Sequence, residues 1–355
     1  MLNAISWIAC LTVIPGATAA PDPPRPAWQQ ARVALDRSFV TNEFRIFYTF
    51  EGGDALPEKG RSDSDADGVP DQIQNLARQL IAARQMYVEV MGLRHPFESA
   101  RYRDRVRYFD VHVSKMKNRG SAGDAIVNYH RPTDPPEGVE VLTMDIDRDI
   151  GPRNLTPAHE LFHEFQNGYT LFKNAWYTEG TARWAENAFR AAPAASKVPP
   201  KIVPAPEELF SMRYEADVFW NALALAADPS GLLQIPSPIR DARYVGDPKP
   251  IVEDDRHHGS AFIKALLEEL DRADDIASAE AKLDPLDWPE SQQRSPKNNH
   301  LIWEAVMSVC RDFNIDPPRR PAAQAILPAA CAVAGRQDCL GFKRRFNSCP
   351  EEFLR

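Results

Sequence analysis

The chain is 355 residues long, 43% hydrophobic and 26% charged, with a formal net charge of −8. That length and balance describe one large globular domain, or one domain with a small appendage, and exclude a disordered chain. The acidic balance leaves no basic footprint, so no nucleic-acid partner is expected.

Residues 1–19 read as a signal peptide. Residues 4–16 are apolar, and Ala17-Thr18-Ala19 supplies the small residues of a cleavage site, although no Lys or Arg precedes the apolar stretch. A secreted or periplasmic mature chain is therefore expected, with a buried N-terminal segment as the alternative. Beyond residue 20 no apolar run reaches the roughly 18 residues of a membrane span.

Residues 44–50 are aromatic and β-branched enough for a strand. An acidic turn covers 63–71. Ile73, Leu76, Leu80, Met86, Tyr87 and Val90 then recur at helical spacing up to Gly92. Strands are expected at 107–113 and 139–146, the second offering an edge to which an extended substrate adds. Thr156 is a candidate N-cap, Pro157 a first-turn residue, and Asn167-Gly168 a stop. A further helix is expected at 179–191 with Thr178 as its cap, then a Pro- and Ala-rich surface loop at 192–206. Helices at 210–227, 259–271 and 301–313 complete the pattern. Strands come first and helices follow, which predicts an α+β fold with a small N-terminal sheet and a mostly helical C-terminal half. One domain at 20–315 and a Cys-rich tail at 316–355 are expected. Cys310, Cys331, Cys339 and Cys349 remain after signal removal, and an even number in an exported chain predicts two disulfides.

The segment Thr156-Pro157-Ala158-His159-Glu160-Leu161-Phe162-His163 sets a His-Glu-x-x-His pattern on a helix. Spacing of i and i+4 puts both imidazoles on one face, about one turn apart, where they can chelate one tetrahedral ion. Glu160 falls beside that ion, where it can accept a proton from water. The third ligand must come from elsewhere. A metzincin continuation needs Gly and His where the chain has Gln166 and Tyr169, and a thermolysin-type spacing needs Glu where it has Arg183. The chain offers instead Trp176-Tyr177-Thr178-Glu179-Gly180, followed by Glu186.

These residues resemble the gluzincins, zinc peptidases with His-Glu-x-x-His on one helix and a glutamate ligand on the next. Aminopeptidase-type members carry that ligand in Trp-x-x-Glu-Gly with another glutamate seven residues later, and Glu179 and Glu186 match both positions. The stretch between His163 and Glu179 is shorter than in the best-known gluzincin families, which sets the chain apart from them. The chain is also similar to secreted bacterial metallopeptidases that place Phe-x-x-x-Tyr and Asp-x-Asp-x-Asp-Gly-x-Pro-Asp ahead of the same two helices. Here those elements are Phe44 and Tyr48, 63–71, His159 to His163, and Glu179, and the likeness spans about 44–270. The resemblance implies zinc between two helices on His159, His163 and Glu179, with Glu160 as base, Glu186 behind an imidazole, and a peptide or protein substrate. It also makes His258, in His257-His258-Gly259 ahead of a helix, the first candidate for an oxyanion donor. Tyr244 and His257 stand behind it. An exposed helix N-terminal Glu179, a solvated Glu186 and an exposed loop histidine pair stay open.

The acidic turn places Asp63, Asp65, Asp67 and Asp71 at positions 1, 3, 5 and 9 of a calcium loop, with Gly68 at position 6. Position 12 is Gln74, where a full loop has glutamate. Structural Ca²⁺ and a solvated turn are the two readings. The combined expectation is an exported zinc metallopeptidase, the alternative being a catalytically inactive gluzincin-scaffold protein that binds or supports.

Overall fold

The structure, a computed structural model, describes Arg32 and residues 34–128, 139–191 and 206–315. The signal segment, almost all of the 192–206 loop and the 316–355 tail lie outside the described residues. Five strands, β1 (Arg37–Thr41), β2 (Phe44–Tyr48), β3 (Val106–Ser114), β4 (Gly120–Asn128) and β5 (Glu140–Asp147), form a sheet in the order β1-β2-β3-β5-β4. The inner pairs β2–β3 and β3–β5 are parallel, and β1 and β4 close the two edges antiparallel. The longer helices are α1 (Asp71–Gln85), α2 (Thr156–Tyr169), α3 (Ala175–Glu186), α4 (Asp217–Ala227), α5 (Ser260–Ala281) and α6 (Asn298–Asp312). Sheet first and helices after is the mixed α and β arrangement expected from the order of patterns. Among the described residues no helix is long and apolar enough to cross a membrane.

One expectation about the sheet needs correction. The strand before the zinc-motif helix, β5, is paired on both sides, by β3 and β4, and so has no free edge. The edge is β4, a strand the sequence patterns do not announce because Gly120, Ser121 and Gly123 dilute its apolar alternation. β1 escaped notice for a similar reason, being five residues long with an exposed, polar first half.

Period-two alternation divides the sheet. Phe44, Ile46, Phe109, Val111, Leu142, Met144 and Ile146 join the hydrophobic core with the helices. Register brings Arg45 opposite Asp110, and His112 opposite Asp145, on the other face. Arg45 donates to both oxygens of Asp110 at 2.7 and 2.8 Å, and both side chains are fully buried. Arg32 grips Asp145 in the same two-pronged way.

α1 buries Ile73, Leu76, Leu80 and Ala83 and continues through one π turn, Met86–Val90. Tyr87 in that turn is fully buried, packs edge-on against Phe162 and Phe165, and donates its hydroxyl to the Ala158 carbonyl at 3.0 Å. Burying Phe162 and Phe165 completely contributes roughly 1.5–3 kcal/mol each, and it presses α2 against the core by the face opposite its histidines.

The helix ends differ from those expected. Thr156 is the first residue of α2 rather than its cap, and its N–H is taken by the Asn154 side chain at 2.9 Å. Pro157 does occupy the first turn. The helix runs through Gly168 and ends at Tyr169, where Thr170 turns extended. α3 begins at Ala175, so Glu179 lies one turn inside the helix, and Thr178 bonds back to the Asn174 carbonyl as an interior residue. α5 runs ten residues beyond its expected end at 271. Cys310 is fully buried on α6, its thiol pushed up to about 11 by burial, and forms no disulfide among the described residues. The other three tail cysteines lie outside the described residues.

Candidate metal centre

α2 and α3 pack side by side and bring His159, His163 and Glu179 together, with one ligand atom from each lying within 4.8 Å of the others. His159 Nε2 and His163 Nε2 lie 3.3 and 3.5 Å from Glu179 Oε2. A tetrahedral zinc with bonds of about 2.0–2.1 Å has ligand-to-ligand edges of about 3.3–3.4 Å, so the spacing fits.

The hydrogen bonds behind the imidazoles decide which nitrogens face the centre. Glu186 Oε2 accepts from His159 Nδ1 at 3.1 Å. Gln166 Oε1 accepts from His163 Nδ1 at 2.7 Å. The Gln166 amide cannot be reversed, because its nitrogen donates to the Thr178 carbonyl at 2.9 Å and to Thr181 Oγ1 at 2.6 Å. Thr181 in turn spends its proton on the Tyr177 carbonyl. His163 is thus held as the Nδ1–H tautomer, His159 has a carboxylate on each ring nitrogen, and both Nε2 atoms converge on one oxygen of Glu179. With both Nε2 atoms unprotonated, three acceptors would face one point and repel unless a cation stood among them.

Charge tells the same story. Burial pulls the His159 imidazolium down, but hydrogen bonds to Glu179 and Glu186 and the charge of Glu160 carry it up to about 9. Burial likewise raises the Glu179 carboxyl, and the two imidazoles outweigh it and hold it well below the ordinary range. A buried set of donors that favours positive charge in this way fits a divalent ion. Glu179 Oε1 faces away, 3.5 Å from Arg213, which leaves one oxygen for the centre.

Glu160 is almost fully buried, and burial raises its carboxyl above the usual value. It lines a cleft of about 390 Å³ that also exposes His159, Glu186, Tyr214 and the start of β4. Gly120, the first residue of β4, lies so close that a Cβ there would stand 2.6 Å from Glu160 Oε1. A side chain at 120 would push the carboxylate aside. A second close approach shapes the other wall: a Cβ on Gly180 would meet Trp220 at 2.6 Å and Ala216 at 3.0 Å. Glycine after Glu179 therefore lets the turn Tyr214–Ala216 dock on α3. Tyr214 then sits over His159, ring centroids 5.9 Å apart. Burial, and then the charges of Glu179 and Glu160, raise its phenol.

His258 is placed elsewhere. Its Nδ1 bonds the Asp228 carbonyl at 2.7 Å, its ring packs on Gly231, and it is not among the residues lining the cleft. His257 is buried against Trp184, and burial with the His258 charge holds it down to about 3. Tyr244 is buried with its hydroxyl on Gln79. Gln166, Tyr214 and Gly120 were missed in the sequence. For Gln166 a signal existed: it follows His163 by three positions and shares its helical face. For Tyr214 and Gly120 there was none.

In the acidic loop, Asp63, Asp65 and Asp71 bring carboxylate oxygens within 4.8 Å of one another. Asp67 stands outside that group, its oxygens accepting from the Val69 N–H and the Gln74 amide. Asp63 accepts from the Asp67 and Gly68 N–H groups, which curls the loop around it. Hydrogen bonds from Ser64 and Ser62 outweigh what burial Asp71 has and lower its carboxyl. Comparison with known proteins gives no matching family model and no matching curated protein.

Proposed function

We propose that the protein is an exported zinc metallopeptidase of gluzincin type, with zinc held by His159, His163 and Glu179. The observation that supports this reading is the convergence of two Nε2 atoms, that of His163 tautomer-locked, on one Glu179 oxygen at 3.3 and 3.5 Å beside a buried glutamate. Zinc, when bound, lowers the pKa of water to near 7 and polarises a carbonyl. Around it, Glu160 accepts the proton of the attacking water and returns it to the departing amine nitrogen. Tyr214, whose phenol lies beside Glu179 at the open side of the centre, donates to the substrate carbonyl oxygen as negative charge develops there. Glu186 and Gln166 keep the imidazoles in the ligating tautomer. Gly120 keeps the space that Glu160 occupies. Asp63, Asp65 and Asp71 form a structural calcium site in the same reading.

Elemental mass spectrometry of the purified mature chain tests the metals together. Zinc near one per chain is expected, with Glu186→Gln and Gln166→Leu each weakening zinc affinity about 10- to 100-fold. Calcium near one per chain is expected after equilibration with the ion, with a rise in Tm that Asp65→Asn removes. A zinc content near zero that added zinc cannot raise sinks the proposed centre. A Tm indifferent to calcium leaves the loop as a solvated turn.

A further inference from the structure

Arg119, Arg183 and Arg190 line the same cleft as Glu160. Arg183 has Asp217 at 4.0 Å, the limit of an ion pair. Arg119 and Arg190 are exposed and make no ion pair among the described residues. The cleft's own carboxylates are otherwise engaged: Glu186 bonds His159, and Glu160 lies buried against Gly120. These two guanidiniums come from separate walls. Arg119 immediately precedes Gly120 at the mouth of β4, and Arg190 follows the single 3₁₀ turn Asn187–Phe189 that continues α3. Arg190 also lines an adjoining pocket of about 110 Å³, floored by Tyr244, Phe189 and Ile251, where Arg153 is already paired with Glu253 at 2.7 Å.

A chain with a net charge of −8 repels acidic ligands at long range, so unpaired arginines gathered at one cleft create a local exception. A guanidinium left without a carboxylate offers a planar two-donor fork that a carboxylate matches. We propose that the cleft selects peptides bearing a carboxylate near the scissile bond, recognised by Arg119 and Arg190. This rests on the peptidase reading for the bond that is cut. The recognised group is a carboxylate, from an acidic side chain or from a peptide C-terminus.

The test measures binding rather than turnover, by fluorescence anisotropy on zinc-loaded Glu160→Gln protein. The probes are dye-labelled Ala-Ala-Glu-Glu-Ala-Ala and Ala-Ala-Gln-Gln-Ala-Ala, each as free acid and as C-terminal amide. The Glu amide is expected to bind about tenfold tighter than the Gln amide, and Arg119→Gln with Arg190→Gln brings that ratio to about one. A preference seen only between free acid and amide, and lost in the same double variant, identifies the C-terminus as the carboxylate that is read. No preference of either kind, no measurable binding, or a preference that survives the double variant overturns the proposal. The two readings fail separately. Cleavage by wild type without carboxylate preference leaves the peptidase and removes this selectivity, whereas an arginine-dependent preference without any cleavage does the reverse.

Discussion

Glu160→Gln is expected to lower kcat/KM for peptide hydrolysis by about 10²- to 10⁴-fold while zinc content stays near one per chain. The amide is close in size and keeps the contact with Gly120, where 2.6 Å separates a hypothetical Cβ from the carboxylate oxygen. What it loses is the ability to take a proton. The proposed zinc ligands His159, His163 and Glu179 and their supports Glu186 and Gln166 are untouched, so metal affinity separates loss of the proposed base from loss of the site. In the same assay Tyr214→Phe is expected to lower kcat by about 10²-fold, the usual effect of removing one oxyanion donor. Glu160→Gln with turnover equal to wild type would remove glutamate from the mechanism. Wild type that holds zinc and cleaves nothing in a broad peptide library would favour the inactive scaffold instead.

Asp110→Ala is expected to cost about 3–5 kcal/mol of folding stability, read from the urea midpoint at unchanged slope. Asp110 and Arg45 are fully buried neighbours across β2 and β3, joined by two hydrogen bonds. Removing the carboxylate takes two hydrogen bonds and a counter-charge from a guanidinium buried on the sheet's second face, where desolvation is costly. Replacing both residues by apolar ones of similar volume, Arg45→Met with Asp110→Leu, is expected to cost much less than the single change, since both charges of the pair are then removed from the interior. A single-variant loss below about 1 kcal/mol would mean that water or other groups reach Arg45 readily.

The extent to which the site was legible depended on how far apart its members lie in the chain. His159, Glu160 and His163 were legible because helical periodicity alone puts positions i and i+4 on one face. Helix α1 was legible from Ile73, Leu76 and Leu80 for the same reason. The strands β2, β3 and β5 came within a residue or two of their expected bounds, being rich in Val, Ile and Phe. The start of α2 came one residue early because Asn154, two residues before it, accepts from the Thr156 N–H, so Thr156 is helical rather than the cap.

An α+β order of elements, two histidines and a glutamate on one helical turn, and an acidic loop were already written in local stretches of sequence. Each of these is a matter of neighbours within about four residues, where covalent geometry already sets the spacing. Only the tertiary structure decided that Glu179 Oε2 meets both imidazoles, that Gln166 fixes one tautomer, and that β4 rather than β5 forms the edge. It also exchanged His258 for Tyr214 at the cleft and gathered Arg119 with Arg190 there. Those placements follow from how helices and strands pack, which depends on close approaches such as Gly120 to Glu160 and Gly180 to Trp220. A missing side chain leaves no periodic mark in a sequence, and its effect exists only once another element occupies the space.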